Sequence, residues 1–596
     1  MPEAQWDAYT EHTYQQMSNE QPVPKPAWTF PSPFVAYSGG WMRGEKCWGP
    51  PPRTLAELRM YGLSWAIRSK PEWQRKILDP AILEKWRKEA LDQQEGLLAH
   101  KKLTKNMVNY VLTELPAYAK ISDPATGIES GPFDAIWFSD RLISDEIANR
   151  LRAEIVTLED AEQVKDWHPG SNGQVLDLVH PSLYCIVYGR TRSVTRYIDA
   201  SSSLTPVTPA TYELSNDYSK RALSKRFCWL PSDFSVDAND GSVTLVSPYI
   251  NNLHPTKHQS LYRVIESILS SFVPLFERVL SQVNGQDKDL FRDVPPGSGR
   301  IKVERVFGTF TGYRMKFAGV AVPCIWTEGM KYQEDMTNDE YERLAEVLPE
   351  AHEEYAGALE QTIAPYSLRG KTIQCIIKLA NIHLTPENPE YKGGSWHVEG
   401  MLNERIVASG IYYYEEENIT ESRLAFRVTT SAPVYHEQDD ELCSKLLYGM
   451  MRDTHCVQDL GSLITSSRRA IAWPNIYQHR VQPFRLRDLA RPGHRKILAI
   501  FLVDPSIDPI PSATTVPPQQ AEWAFDALEG ARGDPHSAFS RLPLELSEMI
   551  QTESAGDSLM KRSEAEEYRL ALMKERTQSV QAHDVILSYS FNMCEH

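Results

Sequence analysis

The sequence predicts an α+β protein, helical over much of its first 364 residues and strand-dominated between residues 365 and 505. Three observations carry that reading. Residues 54–120 and 257–284 repeat apolar side chains at helical spacing. Residues 372–503 are runs rich in Val, Ile, Tyr and Phe separated by turn residues, the pattern of strands. Pro-rich stretches at residues 22–52 and 505–518 cannot form long helices or central strands.

The 596 residues, 41% hydrophobic and 24% charged, suit a globular chain with a large buried core. A net charge of −16 argues against a nucleic-acid-binding surface, because neutralising phosphates needs clustered Lys and Arg. The eight cysteines form no C-x-x-C pair, which argues against a structural zinc site. The first residues lack a basic and apolar leader, and no run of about 18 apolar residues offers a membrane span. Reduced thiols and a cytoplasmic location are therefore expected.

Taken in order, residues 1–53 are an arm rich in Pro and aromatics, including Trp41 and Trp48. A mixed scaffold, residues 54–364, follows. Thr54 and Glu57 form a capping box, Pro80 opens a second helix, and Met107, Val108, Val111 and Leu112 give a third its apolar face. Short strands are expected at 132–138 and 182–188, a helix at 144–158, and turns around His168, His180 and His254. Over 257–284, Leu261, Val264, Ile265, Ile268, Leu269 and Phe272 share one helix face. Two strands (301–307 and 320–326) and a charged helix (338–363) complete the scaffold. The core, residues 365–505, carries strands at 373–383, 405–414, 423–428 and 495–503, interrupted by a polar stretch at 430–459. Residues 506–596 are a Pro-rich exit and C-terminal helices, with Glu564, Glu566, Glu567 and Arg569 on a solvated amphipathic helix.

The chemistry concentrates at Gly393, Gly394, Ser395, Trp396, His397, Val398, Glu399 and Gly400, where a turn-rich approach enters a strand. In an extended chain, residues i and i+2 point to one face, about 7 Å apart at the backbone. His397 and Glu399 can thus grip one metal ion, although such a pair taken alone is more often a surface pair on a strand. A second imidazole from a later strand would complete a 2-His-1-carboxylate triad, the geometry of non-haem Fe(II) oxygenases. His479 stands at such a strand–turn boundary. Arg495 then opens a strongly apolar strand, where a cation is costly unless paired. Its guanidinium is suited to bidentate capture of a carboxylate, as that of 2-oxoglutarate would be. Arg491 competes for that role. Asn381 and His383 on the preceding strand, Trp396, and Asn403, Glu404 and Arg405 just past the ligands are candidates for the substrate side.

The order His-x-Glu, a distant His, then an Arg leading the next strand resembles the Fe(II)/2-oxoglutarate-dependent dioxygenases, whose prolyl-hydroxylase-like branch the 479–501 segment resembles most. Residues 168–181, 249–255 and 394–404 resemble a mainly fungal family catalogued as domain of unknown function 4246. The resemblance covers most of residues 30–520 and implies a double-stranded β-helix (jelly-roll, cupin-like) core at 365–505 with extensive helical N-terminal elaboration. It implies Fe(II) held by His397, Glu399 and His479, with 2-oxoglutarate as cosubstrate at Arg495 and O2 as oxidant. It also implies a Tyr on the strand after the proximal ligands. Aligning residues 411–414 with that strand puts Tyr413 in the role. Alternation then sets Ser409, Ile411 and Tyr413 inside and Tyr412 and Tyr414 on the other face. The implied reaction oxidises a C–H bond, by hydroxylation, desaturation or ring closure, of a small molecule for which an amino-acid derivative is one source. The rival readings are a cupin-type protein hydroxylase or demethylase, and a catalytically silent scaffold of the same fold.

Overall fold

The computed structural model describes residues 52–161, 165–194, 203–210, 220–285, 350–361, 363–431, 441–546 and 558–587, together with residues 30–35, 37, 38, 46, 47, 50, 433 and 549. The strands expected at 301–307 and 320–326, residues 338–349 and 362 of the expected 338–363 helix and most of the 1–53 arm lie outside them. Of the described part of that helix, only Ala358–Gln361 is helical.

The helices form where periodicity and caps require. They are α1 (Leu55–Arg68), α2 (Pro80–Asp92), α3 (Lys105–Ile121), α4 (Asp145–Ala161), α5 (Gln259–Gly285), α6 (Glu441–Tyr448), α7 (Ala521–Gly533) and α8 (Arg562–Leu587). Thr54 caps α1 by accepting from the Glu57 N–H at 3.2 Å. The strands that position the site are β1 (Glu129–Ser130), β2 (Trp137–Ser139), β3 (Val175–Val179), β4 (Ser232–Val236), β5 (Val243–Leu245), β6 (Thr372–Leu384), β7 (Ile406–Glu417), β8 (Arg423–Thr429), β9 (Val457–Ile464), β10 (Ala470–Pro474), β11 (Tyr477–Val481) and β12 (Gly493–Val503).

Nine of these strands make one antiparallel sheet, ordered β5-β4-β6-β12-β7-β10-β2-β1, with β3 pairing the far half of β6. β9-β8-β11 make a second, smaller sheet. Five strands of the large sheet come from residues 129–245, so the expected boundary between scaffold and core at residue 365 is not a boundary in the fold. The polar stretch at 430–459 likewise yields α6 and the start of β9.

Alternation sorts the large sheet's side chains. Ala408, Tyr412 and Tyr414 of β7 face α4 and α5, with Leu498, Ile500 and Leu502 of β12. Ile411 and Tyr413, with Ala499 and Phe501, face the smaller sheet and meet its Leu424, Phe426 and Tyr477. Both faces are therefore buried, which is why these strands read as nearly continuous apolar runs. Gly410 lets α5 approach: a Cβ there would lie 2.7 Å from Phe272 Cε1.

The C-terminal helix departs from expectation. Ala565 and Leu572 of α8 are buried in a hydrophobic cluster that includes Tyr184 and Phe227, and Arg569 is 3% exposed. Arg569 Nη1 donates to both Asp166 carboxylate oxygens at 2.8 and 2.9 Å, and Nη2 to Asp177. The solvated face that the sequence suggests is only one side of a helix fastened by a buried ion pair.

Candidate metal centre

His479 projects from β11 opposite Phe426 of β8, a residue of the core between the sheets. His397 is brought to it by a backbone bridge: His397 N–H donates to His479 O at 3.2 Å, and His479 N–H returns a bond at 2.9 Å. Gly393 makes the approach possible. Its φ is +87°, and a Cβ would meet the Val481 carbonyl oxygen at 2.8 Å. Asn475, fully buried, fixes the next ligand. Its Oδ1 accepts from Glu399 N–H at 2.8 Å, and its Nδ2 donates to Glu399 O at 2.9 Å. The amide side chain thus pairs with the Glu399 backbone as a neighbouring strand would. The sequence reading missed Asn475; its one signal was an amide in the turn that follows the apolar strand β10.

Ligand atoms of His397, Glu399 and His479 all lie within 4.8 Å of one another. Glu399 Oε1 is 3.3 Å from His479 Nε2 and 3.7 Å from His397 Nε2. Donors about 2.1 Å from one cation at right angles lie about 3 Å apart, so the group needs little adjustment to hold one. The tautomer of His397 is set by its other nitrogen, since Nδ1 lies 2.8 Å from the Ser395 carbonyl, which only accepts. The Nε2 lone pair is left facing a carboxylate oxygen, an arrangement that calls for a proton or a cation between them. Burial alone would raise the Glu399 carboxyl, but contact with the two imidazoles outweighs it and holds the group well below the usual carboxylate range. Burial lowers His479, aided by repulsion from His397, while for His397 the Glu399 contact outweighs burial and raises it. Trp473 braces His479, ring centroids 4.8 Å apart.

Arg495 lies in the same interior. It is 1% exposed, and its Nη1 donates to Ser422 Oγ and, at 3.4 Å, to Thr465 Oγ1. Its guanidinium carbon is 5.3 Å from the Tyr413 ring centre and 4.9 Å from that of Phe484. Nε has no hydrogen-bond partner, nor has the Tyr413 hydroxyl, and no carboxylate ion-pairs with Arg495 among the described residues. Burial raises the Tyr413 phenol to about 12 against the opposing pull of Arg495, so it stays a neutral donor. Arg491 is 65% exposed and paired with Asp488 at 3.0 Å.

The substrate-side expectations divide. Trp396 stands half-buried next to the ligands, between the guanidiniums of Arg427 at 4.7 Å and Arg480 at 4.5 Å. Asn381 does not face the site. It is fully buried toward the helical layer, bonding Tyr414 Oη at 2.8 Å and Glu159. His383, two residues on, shares that face and sits against Trp167 and His494. Asn403 and Glu404 hold loops together. Asn403 bonds Ser224 N–H and O and the Tyr188 hydroxyl, while Glu404 accepts from the Trp229 and Met401 N–H groups and from Arg576. Arg405, with φ +49°, donates to the Asp508 carbonyl at 3.0 Å. The polar groups of Asn403, Glu404 and Arg405, expected on the substrate side because they follow the ligands, are thus engaged in loop contacts.

A family model described as "Protein of unknown function (DUF4246)" matches residues 105–527, and one described as "Domain of unknown function DUF4246, N-terminal" matches residues 11–89. Solved structures with some likeness include IDO from Bacillus thuringiensis (10% identity, TM-score 0.15, 23% of this chain and 47% of that one). A bsmA homologue from Methylobium petroleophilum PM1 matches at 12% identity and TM-score 0.14, over 23% of this chain and 43% of that one. The Fe(II)/(alpha)ketoglutarate-dependent dioxygenase TqaL matches at 13% and 0.15, over 26% of this chain and 54% of that one. This chain thus spans about half the length of each of these structures. No curated protein matches.

Proposed function

The chain belongs to the DUF4246 family, and we propose that it is a non-haem Fe(II)- and 2-oxoglutarate-dependent dioxygenase that oxidises a C–H bond of a small organic molecule. The facing antiparallel sheets, with β6, β12, β7 and β10 adjacent in one and β9, β8 and β11 in the other, support a double-stranded β-helix as its core. The observation that carries the functional reading is Arg495, buried on the β12 face that looks into the interior receiving His479. An unpaired buried ion costs on the order of several kcal/mol. Glu416, opposite Arg495 on β7, acts on it without forming an ion pair, so the buried guanidinium is incompletely compensated. It is explained if an anion arrives with the cosubstrate. Arg495 and the Tyr413 hydroxyl offer unused donors to a carboxylate, and His397, Glu399 and His479 offer two neutral nitrogens and one negative oxygen to a divalent ion.

His397, Glu399 and His479 would hold the iron, and Arg495, helped by Tyr413, the carboxylate of 2-oxoglutarate farthest from it. When both are bound, they supply the oxidising power for the C–H bond. The chain's own work is to fix the ligand geometry through Ser395 and Asn475, and to exclude water with Trp473 and the apolar side chains between the sheets.

Anaerobic addition of Fe(II) and 2-oxoglutarate to the full chain tests this. The expected result is a visible metal-to-ligand charge-transfer absorption. It disappears in His479→Ala and demands far more 2-oxoglutarate in Arg495→Met. A folded wild-type protein with no such absorption, or an Arg495→Met variant indistinguishable from it, refutes the proposal.

A further inference from the structure

A lysine interrupts the apolar interior of β6. Lys378 is half-buried, with Ile376 and Ala380 on either side of it on the same strand face. Register sets it opposite Ala499 of β12, a residue of the core shared with the smaller sheet. Lys378 therefore looks into the space between the sheets that also receives His479. It forms no hydrogen bond or ion pair among the described residues. Its charge acts on His397 at the metal centre and on Asp177 and His180 across β3. Ala380, its neighbour on that face, lies opposite Asp177 of β3, so Lys378 stands between that group and the interior that receives His479.

Asp177 supplies only part of a counter-charge to Lys378: its Oδ1 has no hydrogen-bond partner, yet the two form no ion pair. It lies opposite Ala380, and its Oδ2 already meets His168 Nδ1 at 2.7 Å and the Arg569 guanidinium. His168, Asp177 and His180 do have ligand atoms within 4.8 Å of one another. Arg569, however, is already bonded to that carboxylate and supplies the cation there, which disfavours a metal ion. His180 accepts the Ser182 N–H on Nδ1 at 3.2 Å, so its proton sits on Nε2, which adds a neutral donor.

The cosubstrate's anchor is elsewhere. Arg495 precedes Ala499 by four residues on β12, a separation of about 13 Å along the strand. A 2-oxoglutarate held by Arg495 and the metal leaves Lys378 for a second molecule. Building on the function proposed above, we propose that Lys378 binds a carboxylate of the organic substrate, which makes the substrate an organic acid held between the metal centre and the His168–Asp177–His180 wall.

The test uses the full chain loaded anaerobically with Mn(II) and 2-oxoglutarate, and calorimetric titration with benzoate and hexanoate, each beside its neutral amide. The carboxylates are expected to bind about tenfold or more tighter than their amides, as a charge-assisted hydrogen bond provides. Lys378→Met abolishes that preference, Lys378→Arg restores it, and both variants keep the wild-type affinity for 2-oxoglutarate. A wild-type protein with no preference for either carboxylate, or a Lys378→Met variant that retains it, overturns the proposal. So does a Lys378→Met variant whose main defect is in 2-oxoglutarate binding, which would give the lysine to the cosubstrate. A wild-type chain that takes up neither Mn(II) nor 2-oxoglutarate fails the metal-centre reading itself, whereas normal loading without carboxylate preference refutes the role of Lys378 alone.

Discussion

Exchanging Glu399 for Gln keeps the side chain's shape and removes the one negative charge among the three proposed ligands. The Asn475 bracket holds the Glu399 backbone, not its carboxylate, so the loop keeps its anchor in the variant. A divalent ion that binds the folded chain and not the unfolded one stabilises it by about 2.7 kcal/mol at a concentration of about 100 Kd. Changes even in residues that merely support metal ligands weaken binding by about 10- to 100-fold. If losing the carboxylate costs about 100-fold, the same concentration equals the variant's Kd, and only about 0.4 kcal/mol remains. Anaerobic urea unfolding with and without Mn(II) reads this difference directly. Asp177→Asn, which disables the other group with ligand spacing, is expected to keep the full metal-dependent gain whatever its own stability. The reasoning is refuted if Glu399→Gln retains that gain or Asp177→Asn loses it.

Further outcomes follow from the packing. Gly410→Ala forces a Cβ to 2.7 and 2.9 Å from Phe272 and 3.0 Å from Phe276, and should cost about 1–3 kcal/mol in urea unfolding while leaving the Mn(II)-dependent gain unchanged. Arg569→Met strips the guanidinium from Asp177 and leaves Asp166 to Arg562 alone, and should destabilise by about 3–5 kcal/mol and open α8 to limited proteolysis. Burial first, then His494 and Lys496, lower His383 from 6.5 to about 4. The unfolded chain therefore takes up this proton at a higher pH than the folded one. The His383 contribution is complete above about pH 6.5 and is lost as pH falls towards 4, amounting to at most about 3 kcal/mol. His383→Gln should flatten that part of a stability–pH profile, and an unchanged slope would count against the burial argument.

The sequence disclosed the elements better than their neighbours. Helices α1 to α3 and α5 announced themselves by caps and apolar periodicity, and α5 packs on the sheet with the face that periodicity marks. The pattern at His397, Glu399 and His479 marked three side chains that the fold brings within ligand distance of one another. Alternation separated Tyr413 from Tyr412 and Tyr414, because a period of two survives even when both faces are buried. It could not tell which face met which layer, and so Asn381 was placed on the wrong side. Asn475 and Arg569 escaped for a different reason. Asn475 pairs with a backbone 76 residues away, and Arg569 reaches Asp177 across 392 residues, separations that local patterns do not encode. Lys378 was visible as a cation inside an apolar run, yet only register showed which interior it enters.

The central claim is that His397, Glu399 and His479, with Arg495, form a working iron and 2-oxoglutarate site. Its most direct measurement is CO2 release from 2-oxoglutarate labelled at its C1 carboxylate, with Fe(II) and O2, by wild type and Glu399→Gln in parallel. The account predicts iron-dependent release by the wild type even before a substrate is known, and none above background by the variant. Folded, iron-loaded wild type that releases no label, or a variant that matches it, would contradict the account.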